Sequence, residues 1–315
     1  MQAILQKYQL TSADLLGQGV EATVYRYDAT HVLKIYQGTA SLQRLQTLQA
    51  FYAALDAGHS NLQLPQILHI WPETEAIVTI ERYLSGKPFA ALVAAATPTT
   101  LSDLFAHYLA AAQALQQVKI SPEPQWYKLF DESGVSLRTN GDFYAFLWQA
   151  IGQQVQVIGQ HLERDVVHFA DKRERLRQVL VQPYQGVLGV IHGDFFPGNL
   201  LVDDANQVTA LLDFGLFTMF GDPLFDLATG WVFFDMYDEL KLNLRQRLLE
   251  FIIARYGPAV QPKLNVYVLI YSILGANAYS DCTDGHYAWC VANLNDTTLW
   301  DTLPSVDSSF QADGR

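Results

Sequence analysis

Apolar and polar residues alternate with a period of two in several stretches of the first third of the chain. Val24 and Arg26 oppose Tyr25 and Tyr27, and Val32, Lys34 and Tyr36 oppose Leu33 and Ile35. This is the pattern of strands with two unlike faces. Leu64 to Trp71 and Ala76 to Tyr83 predict a strand pair around Trp71-Pro-Glu-Thr-Glu75. Residues 1 to 12 predict a short helix ahead of the first strand. Between these strands the period changes: Leu42, Leu45, Leu48, Tyr52 and Leu55 recur at helical spacing over Ser41 to Ala57. Thr100-Leu-Ser-Asp103 has the spacing of a capping box, and a helix is expected from there to about Val118, burying Leu101, Leu104, Phe105, Tyr108, Ala112 and Leu115. Ser121 to Tyr127 predicts an extended link and Gly134 to Gly141 a loop, followed by helices that run with breaks to Val181. From Thr229 onward the pattern is helical, interrupted at Gly257-Pro258 and around Asp281 to Gly285, and Ser305 to Arg315 predicts a frayed polar tail.

One later segment departs from the helical pattern. The apolar run Val187 to Ile191 predicts a strand. It enters the polar stretch His192-Gly-Asp-Phe-Phe-Pro-Gly-Asn199, which leaves as a second strand to Val202. Asp203-Asp-Ala-Asn206 supplies turn residues, and Val208 to Leu212 returns as the other arm of a hairpin before Asp213-Phe-Gly215. Asp194, Asn199 and Asp213 project from this frame. One carboxylate can accept a proton from an attacking hydroxyl. A second carboxylate and an amide oxygen suit Mg²⁺, a hard ion that prefers oxygen ligands. Such a set fits phosphoryl transfer, in which positioning and charge neutralisation carry the catalysis. An unperturbed aspartate titrates near 4, so Asp194 is expected to be ionised at neutral pH.

With strands on both sides, His192-Gly-Asp-x-x-x-x-Asn199 and Asp213-Phe-Gly215 resemble the core of the aminoglycoside phosphotransferase and choline kinase-like family, relatives of the protein kinases. Protein kinases carry arginine where this chain has Gly193, so the small-molecule branch is the nearer likeness. The resemblance implies an α+β, two-lobed, protein-kinase-like fold with a small antiparallel-sheet lobe and a mostly helical lobe. It implies a nucleotide-binding lobe over 1–85 and a catalytic and substrate-binding lobe over 86–315. Asp194 would be the catalytic base, Asn199 and Asp213 the metal ligands, His192 and Asp226 structural supports, and Asp222 a turn residue. ATP, with GTP as the alternative, and Mg²⁺ are the implied cofactors.

The same resemblance organises the first lobe. Gly17 and Gly19 in Leu16-Gly-Gln-Gly-Val-Glu-Ala22 would let backbone N–H groups approach phosphate, with Ala22 where the kinase loop has a third glycine. Lys34 would contact the α- and β-phosphates. Related kinases pair this lysine with a helix glutamate, but the 41–57 helix has none, and Gln43, Gln46 or Gln49 is the expected substitute, Gln46 first among them. Glu81-Arg-Tyr83 would begin the hinge whose backbone meets the base, which makes Glu81 and Tyr83 cofactor-binding positions.

Composition narrows the partners. The chain has 315 residues, half of them hydrophobic, and a formal charge of −12. That acidity argues against nucleic acid and suits a cationic substrate. Cys282 and Cys290 are the only cysteines, which points to a reducing, cytoplasmic setting. No basic-then-apolar leader and no apolar run of membrane-spanning length are present, so no membrane partner is expected. The acceptor would be a hydroxyl-bearing small molecule. Trp231, Phe234, Asp235 and Asp238 combine aromatics and acids that can hold an ammonium, so an aminated alcohol or amino sugar fits. The missing helix glutamate keeps open a nucleotide-binding pseudokinase. A protein kinase is the third reading, disfavoured by Gly193 and by the short span from Asp213 to Asp222.

Overall fold

The structure, a computed structural model, describes residues 1–303 apart from Val20, 39–40, His59, 131–136 and 139–140. The expected tail from Ser305 and most of the expected 134–141 loop lie outside the described residues. Packing divides the chain into two units, Met1–Arg138 with Gly189–Phe220, and Thr139–Leu188 with Gly221–Arg315. The hairpin segment therefore packs with residues 1–138, and the division by packing does not fall at the expected 85/86 boundary.

In the first unit, helix α1 (Gln2–Lys7) precedes strands β1 (Leu15–Gln18), β2 (Ala22–Arg26) and β3 (His31–Gln37). Helix α2 (Leu42–Ala54) and the short β4 (Leu55–Asp56) follow, then β5 (Ile67–Pro72) and β6 (Ala76–Arg82). The antiparallel sheet runs in the order β1-β2-β3-β6-β5. Alternation decides which side each residue covers. Leu33, Ile35, Val78 and Ile80 join Tyr25 and Leu10 in a core against Ile4, Leu5 and Tyr8 of the α1 segment. Tyr36 and Ile77 turn the other way, onto Leu45 of α2. Ser41 starts α2, its side chain accepting from the Arg44 amide.

The two-residue strand β7 (Lys87–Pro88), helices α3 (Phe89–Ala94) and α4 (Leu101–Leu115), and the short strands β8 (Lys119–Ile120), β9 (Trp126–Lys128) and β10 (Leu137–Arg138) complete that part of the unit. Helix α4 does bury the expected apolar face. Its capping box does not form: Thr100 has helical φ/ψ and its hydroxyl accepts from the Thr97 amide instead. A capping box is found at Thr11 and Asp14, where side chain and backbone exchange bonds at the start of a short 3-10 turn.

In the second unit, α5 (Phe143–Asp165) and α6 (Phe169–Leu180) precede the returning segment that holds β11 (Gly189–Ile191), β12 (Leu200–Val202), β13 (Val208–Leu211) and β14 (Met219–Gly221). Beyond it come α7 (Leu224–Val232), α8 (Leu244–Tyr256), α9 (Gln261–Leu274), α10 (Gly285–Asn295) and α11 (Thr297–Trp300). Helices α7 and α9 are buried along most of their length. Asp222 makes the expected turn, its Oδ1 accepting from the Leu224 amide at 3.0 Å, and is also a buried anchor. Its Oδ2 accepts from the Tyr267 hydroxyl at 2.7 Å and lies 2.6 Å from the Lys263 ammonium, both on α9. Cys282 and Cys290 are buried free thiols. No helix among the described residues is long and apolar enough to cross a membrane.

Candidate active site

The polar loop between β11 and β12 is held from several sides. His192 is fully buried. Its Nε2 lies 2.6 Å from the Leu212 carbonyl, and its Nδ1 is 3.1 Å from the Asp194 amide. A carbonyl needs a donor and an amide needs an acceptor, which assigns the neutral tautomer protonated at Nε2. Burial pushes the imidazole down to about 4, in agreement with that neutral form. The Thr218 hydroxyl donates to the His192 carbonyl at 2.8 Å and accepts from the Gly215 amide at 2.9 Å. The buried Tyr108 of α4 donates to the Phe195 carbonyl at 3.0 Å.

Gly193 has φ +82, a region that side chains disfavour. A Cβ there would stand 2.1 Å from the Phe217 carbonyl oxygen. The glycine of His-Gly-Asp is thus a steric requirement of this loop, beyond its use as a mark of one kinase branch. The next residue, Asp194, is half-buried, and its carboxylate oxygen Oδ2 accepts from Asn199 Nδ2 at 2.9 Å. The same amide nitrogen donates to the Asp194 carbonyl at 2.9 Å, which turns Asn199 Oδ1 away as an acceptor. Burial raises the Asp194 carboxyl to about 6, above the expected 4, and Asn199 partly opposes the rise. It is still mostly ionised at pH 7.

Asp213 follows β13 with φ +47, a strained conformation for a non-glycine residue and one that recurs at functional sites. Its carboxylate is 60% exposed, so it is open to a ligand, and Lys34 Nζ donates to its Oδ1 at 2.8 Å. The Lys34 charge holds the Asp213 carboxyl below its usual range. The following Phe214 packs on Phe51 and Tyr52 of α2, with ring centroids 5.3 and 5.9 Å apart, and on His192 at 4.4 Å.

Lys34 Nζ also lies 3.2 Å from Glu81 Oε2. Glu81 is only 3% exposed. Its other oxygen accepts from the Thr79 hydroxyl at 2.7 Å and the Tyr36 hydroxyl at 3.2 Å. Burial alone would depress the Lys34 ammonium, but the Asp213 and Glu81 carboxylates outweigh it and raise it well above its ordinary value. Gln46, the expected partner, is exposed on α2, while Gln49 donates to the Ile67 and Leu68 carbonyls. The lysine's second acid therefore comes from the sheet. Lys34 pairs with Thr79 and Val32 with Glu81 across β3 and β6, which puts Lys34, Thr79 and Glu81 on one face. Sequence reasoning placed Glu81 by its backbone at the hinge and missed its side chain. The available signal was the polar pair Thr79 and Glu81, alternating with Val78 and Ile80 opposite a mid-strand lysine.

Gly17 lies in β1 and Gly19 follows it. The Gly19 amide donates to the Ala22 carbonyl at 2.9 Å and closes the turn. A Cβ on Gly17 would meet nothing within 4 Å, and one on Gly19 would come no nearer than 3.6 Å to the Ala22 oxygen. The protein's own packing does not require glycine at either place, although the Gly19 N–H is already committed to Ala22. After β6, the Arg82 and Tyr83 amides donate to the Gln66 and Thr30 carbonyls at 2.9 and 2.8 Å. The Tyr83 ring lies 4.0 Å beneath the Arg26 guanidinium.

The residues expected at the acceptor end belong to the second unit and are largely committed within it. Phe234 is fully buried and Trp231 only 3% exposed, so the aromatics serve as core and do not form a cage. The face of Trp231 carries the Arg245 guanidinium at 5.3 Å. Arg245 Nη1 is 2.7 Å from Asp235 Oδ2, which also accepts from Trp289 Nε1 at 3.1 Å. Asp238 Oδ1 accepts from the Leu242 amide at 2.7 Å. Trp231, Asp235, Asp238, Arg245 and Asp296 line an open cavity of about 430 Å³. Asp226 is buried in the first turn of α7.

The structure thus brings together Asp194 beside the Asn199 amide and, gripped by the strand lysine Lys34, Asp213 at positive φ. The family model "Phosphotransferase enzyme family" matches residues 12–262. The chain belongs to that family and is a small-molecule kinase by class. Among solved structures, the gentamicin complex of aminoglycoside phosphotransferase APH(2'')-IIa is similar at 14% identity and TM-score 0.60, covering 95% of this chain and 96% of that one. ADP-bound APH(2'')-Ib is similar at 14% identity and TM-score 0.59, covering 94% and 96%. APH(3'')-Id of Streptomyces rimosus is similar at 17% identity and TM-score 0.54, covering 87% and 98%. At these identities the likeness establishes the fold, which is protein-kinase-like. Compared by sequence, no curated protein matches the chain.

Proposed function

We propose that this protein transfers the γ-phosphate of ATP, or of GTP, to a hydroxyl of a small aminated molecule such as an amino sugar or amino alcohol. The observation that carries the reading is the joint placement of Asp194, held by Asn199, and Asp213, held by Lys34. Asp194 takes the proton of the acceptor hydroxyl. The freed oxygen forms a bond to the γ-phosphorus, the bond to the β–γ bridging oxygen breaks, and the nucleoside diphosphate leaves. An ammonium has three donors, so Lys34 keeps one for α- and β-phosphate oxygens while it holds its two carboxylates. The glycine turn at Gly17 and Gly19 suits phosphate approach, and the strand end from Glu81 to Tyr83, which leads into the hinge, suits the base. Residues 1–85 then form the nucleotide lobe and 86–315 the catalytic and acceptor lobe. His192 supports the loop.

Asn199 Oδ1 and the exposed Asp213 carboxylate fit Mg²⁺, with phosphates and water completing its shell. Among the described residues no cluster of three His, Cys, Asp or Glu side chains offers a metal site of its own. The ion would supply charge neutralisation on the phosphates.

For the acceptor, support comes from the formal charge of −12. Similar structures include complexes with gentamicin, with ADP and streptomycin, and with GDP and kanamycin. The pseudokinase reading loses its main support, because Glu81 supplies the acid that α2 lacks. A reducing cytoplasm suits the two free thiols. The test is incubation with Mg·ATP or Mg·GTP and a panel of aminoglycosides, choline, ethanolamine, amino sugars and nucleosides, with product read by mass spectrometry. A phosphorylated product absent with Asp194→Asn supports the reading, and failure to bind either nucleotide refutes it.

A further inference from the structure

The side chain of Glu81 has no place in the expected site, in which only the hinge backbone mattered. It is nevertheless a nearly buried carboxylate, and a buried carboxylate is costly unless paired. Each of its oxygens is used. Oε1 takes the Thr79 and Tyr36 hydroxyls, and Oε2 faces the Lys34 ammonium at 3.2 Å. The hydroxyls come from the same face of the same two strands, so the carboxylate is oriented by the sheet itself. Helix α2 gives this region no acid; it touches it through Leu45 on Tyr36 and through Phe51 and Tyr52 on Phe214.

We propose that Glu81 is the positioning residue for Lys34, and that in this protein the lysine is aimed at the nucleotide by an acid on the adjacent strand and not by an acid on a helix. Lys34 is thereby held between two carboxylates on its own unit, Glu81 behind it and Asp213 in front. The inference rests on the phosphotransferase reading for its functional consequence. A further consequence follows. A helix-borne acid makes the lysine's alignment depend on where the helix sits, and helix movement can switch such a site off. A strand-borne acid held by Thr79 and Tyr36 keeps Lys34 aligned without an acid from α2.

The test is a double-mutant cycle of Glu81→Gln and Lys34→Met, read in two ways. In the nucleotide-free protein, the folding equilibrium constants of the four proteins are measured by urea denaturation. In the presence of Mg·ATP, nucleotide affinity and kcat/KM for ATP are measured. If the proposal holds, Glu81→Gln weakens kcat/KM for ATP at least tenfold, with the acceptor KM within threefold. The double variant is no worse than Lys34→Met alone in either readout. Gln46→Ala and Gln49→Ala stay within twofold of the parent in kcat/KM. Effects of Glu81→Gln and Lys34→Met that multiply independently, in folding and in kcat/KM alike, overturn the proposal. So does a tenfold loss on changing Gln46 or Gln49. A parent protein that binds no nucleotide is a different failure: it removes the phosphotransferase reading, while coupling in the nucleotide-free folding data still reports whether Glu81 holds Lys34.

Discussion

Gly193 offers the sharpest test of how the catalytic loop is built. Replacement by alanine adds one methyl group at φ +82, where that methyl would meet the Phe217 carbonyl oxygen at 2.1 Å and its carbon at 2.2 Å. A left-handed conformation costs a side-chain-bearing residue about 1–2 kcal/mol. Forcing apart a packed contact costs about another 1–3 kcal/mol. The neighbour that must yield is backbone, between Gly215 and Thr218, the pair tied to the His192 carbonyl. Gly193→Ala is therefore expected to destabilise the protein by about 2–5 kcal/mol. Asp194 is the next residue, and a displacement of about 1 Å at a catalytic group costs on the order of a hundredfold in rate. Urea denaturation with a parallel phosphorylation assay measures both. Gly17→Ala is the matched control, because its methyl would meet nothing within 4 Å. Stability should change by less than about 0.5 kcal/mol there, with any loss confined to nucleotide affinity. A Gly193→Ala protein as stable and as active as the parent would refute the steric account.

Three other expectations follow from the geometry. Asp194→Asn should lower kcat by about 10²–10⁴ while ATP affinity, measured by calorimetry, stays within a few-fold; an active variant removes Asp194 from its role. His192 is held neutral in the folded protein with its value pushed down to about 4 from 6.5, so its contribution is complete above pH 6.5 and is lost as pH falls toward 4. That loss amounts to about 3 kcal/mol and should vanish from the stability–pH profile of His192→Gln; identical profiles would show that the imidazole is not buried neutral. Tyr267→Phe leaves Asp222 with Lys263 but takes away a 2.7 Å hydrogen bond inside the second unit. It should cost about 1–3 kcal/mol by denaturation, and a neutral result would return Asp222 to the role of a plain turn residue.

Much of this protein is determined by local sequence. Period-two alternation in β3 and β6 and helical spacing in α4 set each element and its buried face, because side chains at those spacings share a side; in α2 the spacing found the helix, but Leu42 is exposed and Phe51 is buried in its stead. The strand–loop–hairpin of residues 189–211 follows from an apolar run, turn residues and a second apolar run, and the His-Gly-Asp and Asp-Phe-Gly motifs stand at its corners. Tertiary structure decided what depends on neighbours far along the chain. Thr100 had a capping sequence but not the backbone angles. Trp231 and Phe234 had the composition of a cation site, yet packing turned them inward, and Arg245 took the face of Trp231 and the carboxylate of Asp235. The partner of Lys34 was sought on a helix by analogy and came from the strand beside it, because register places Glu81 diagonally across from the lysine. Sequence carries the periodicity that chooses a face; only the fold brings charges 47 residues apart to within 3.2 Å and so decides which of them pair.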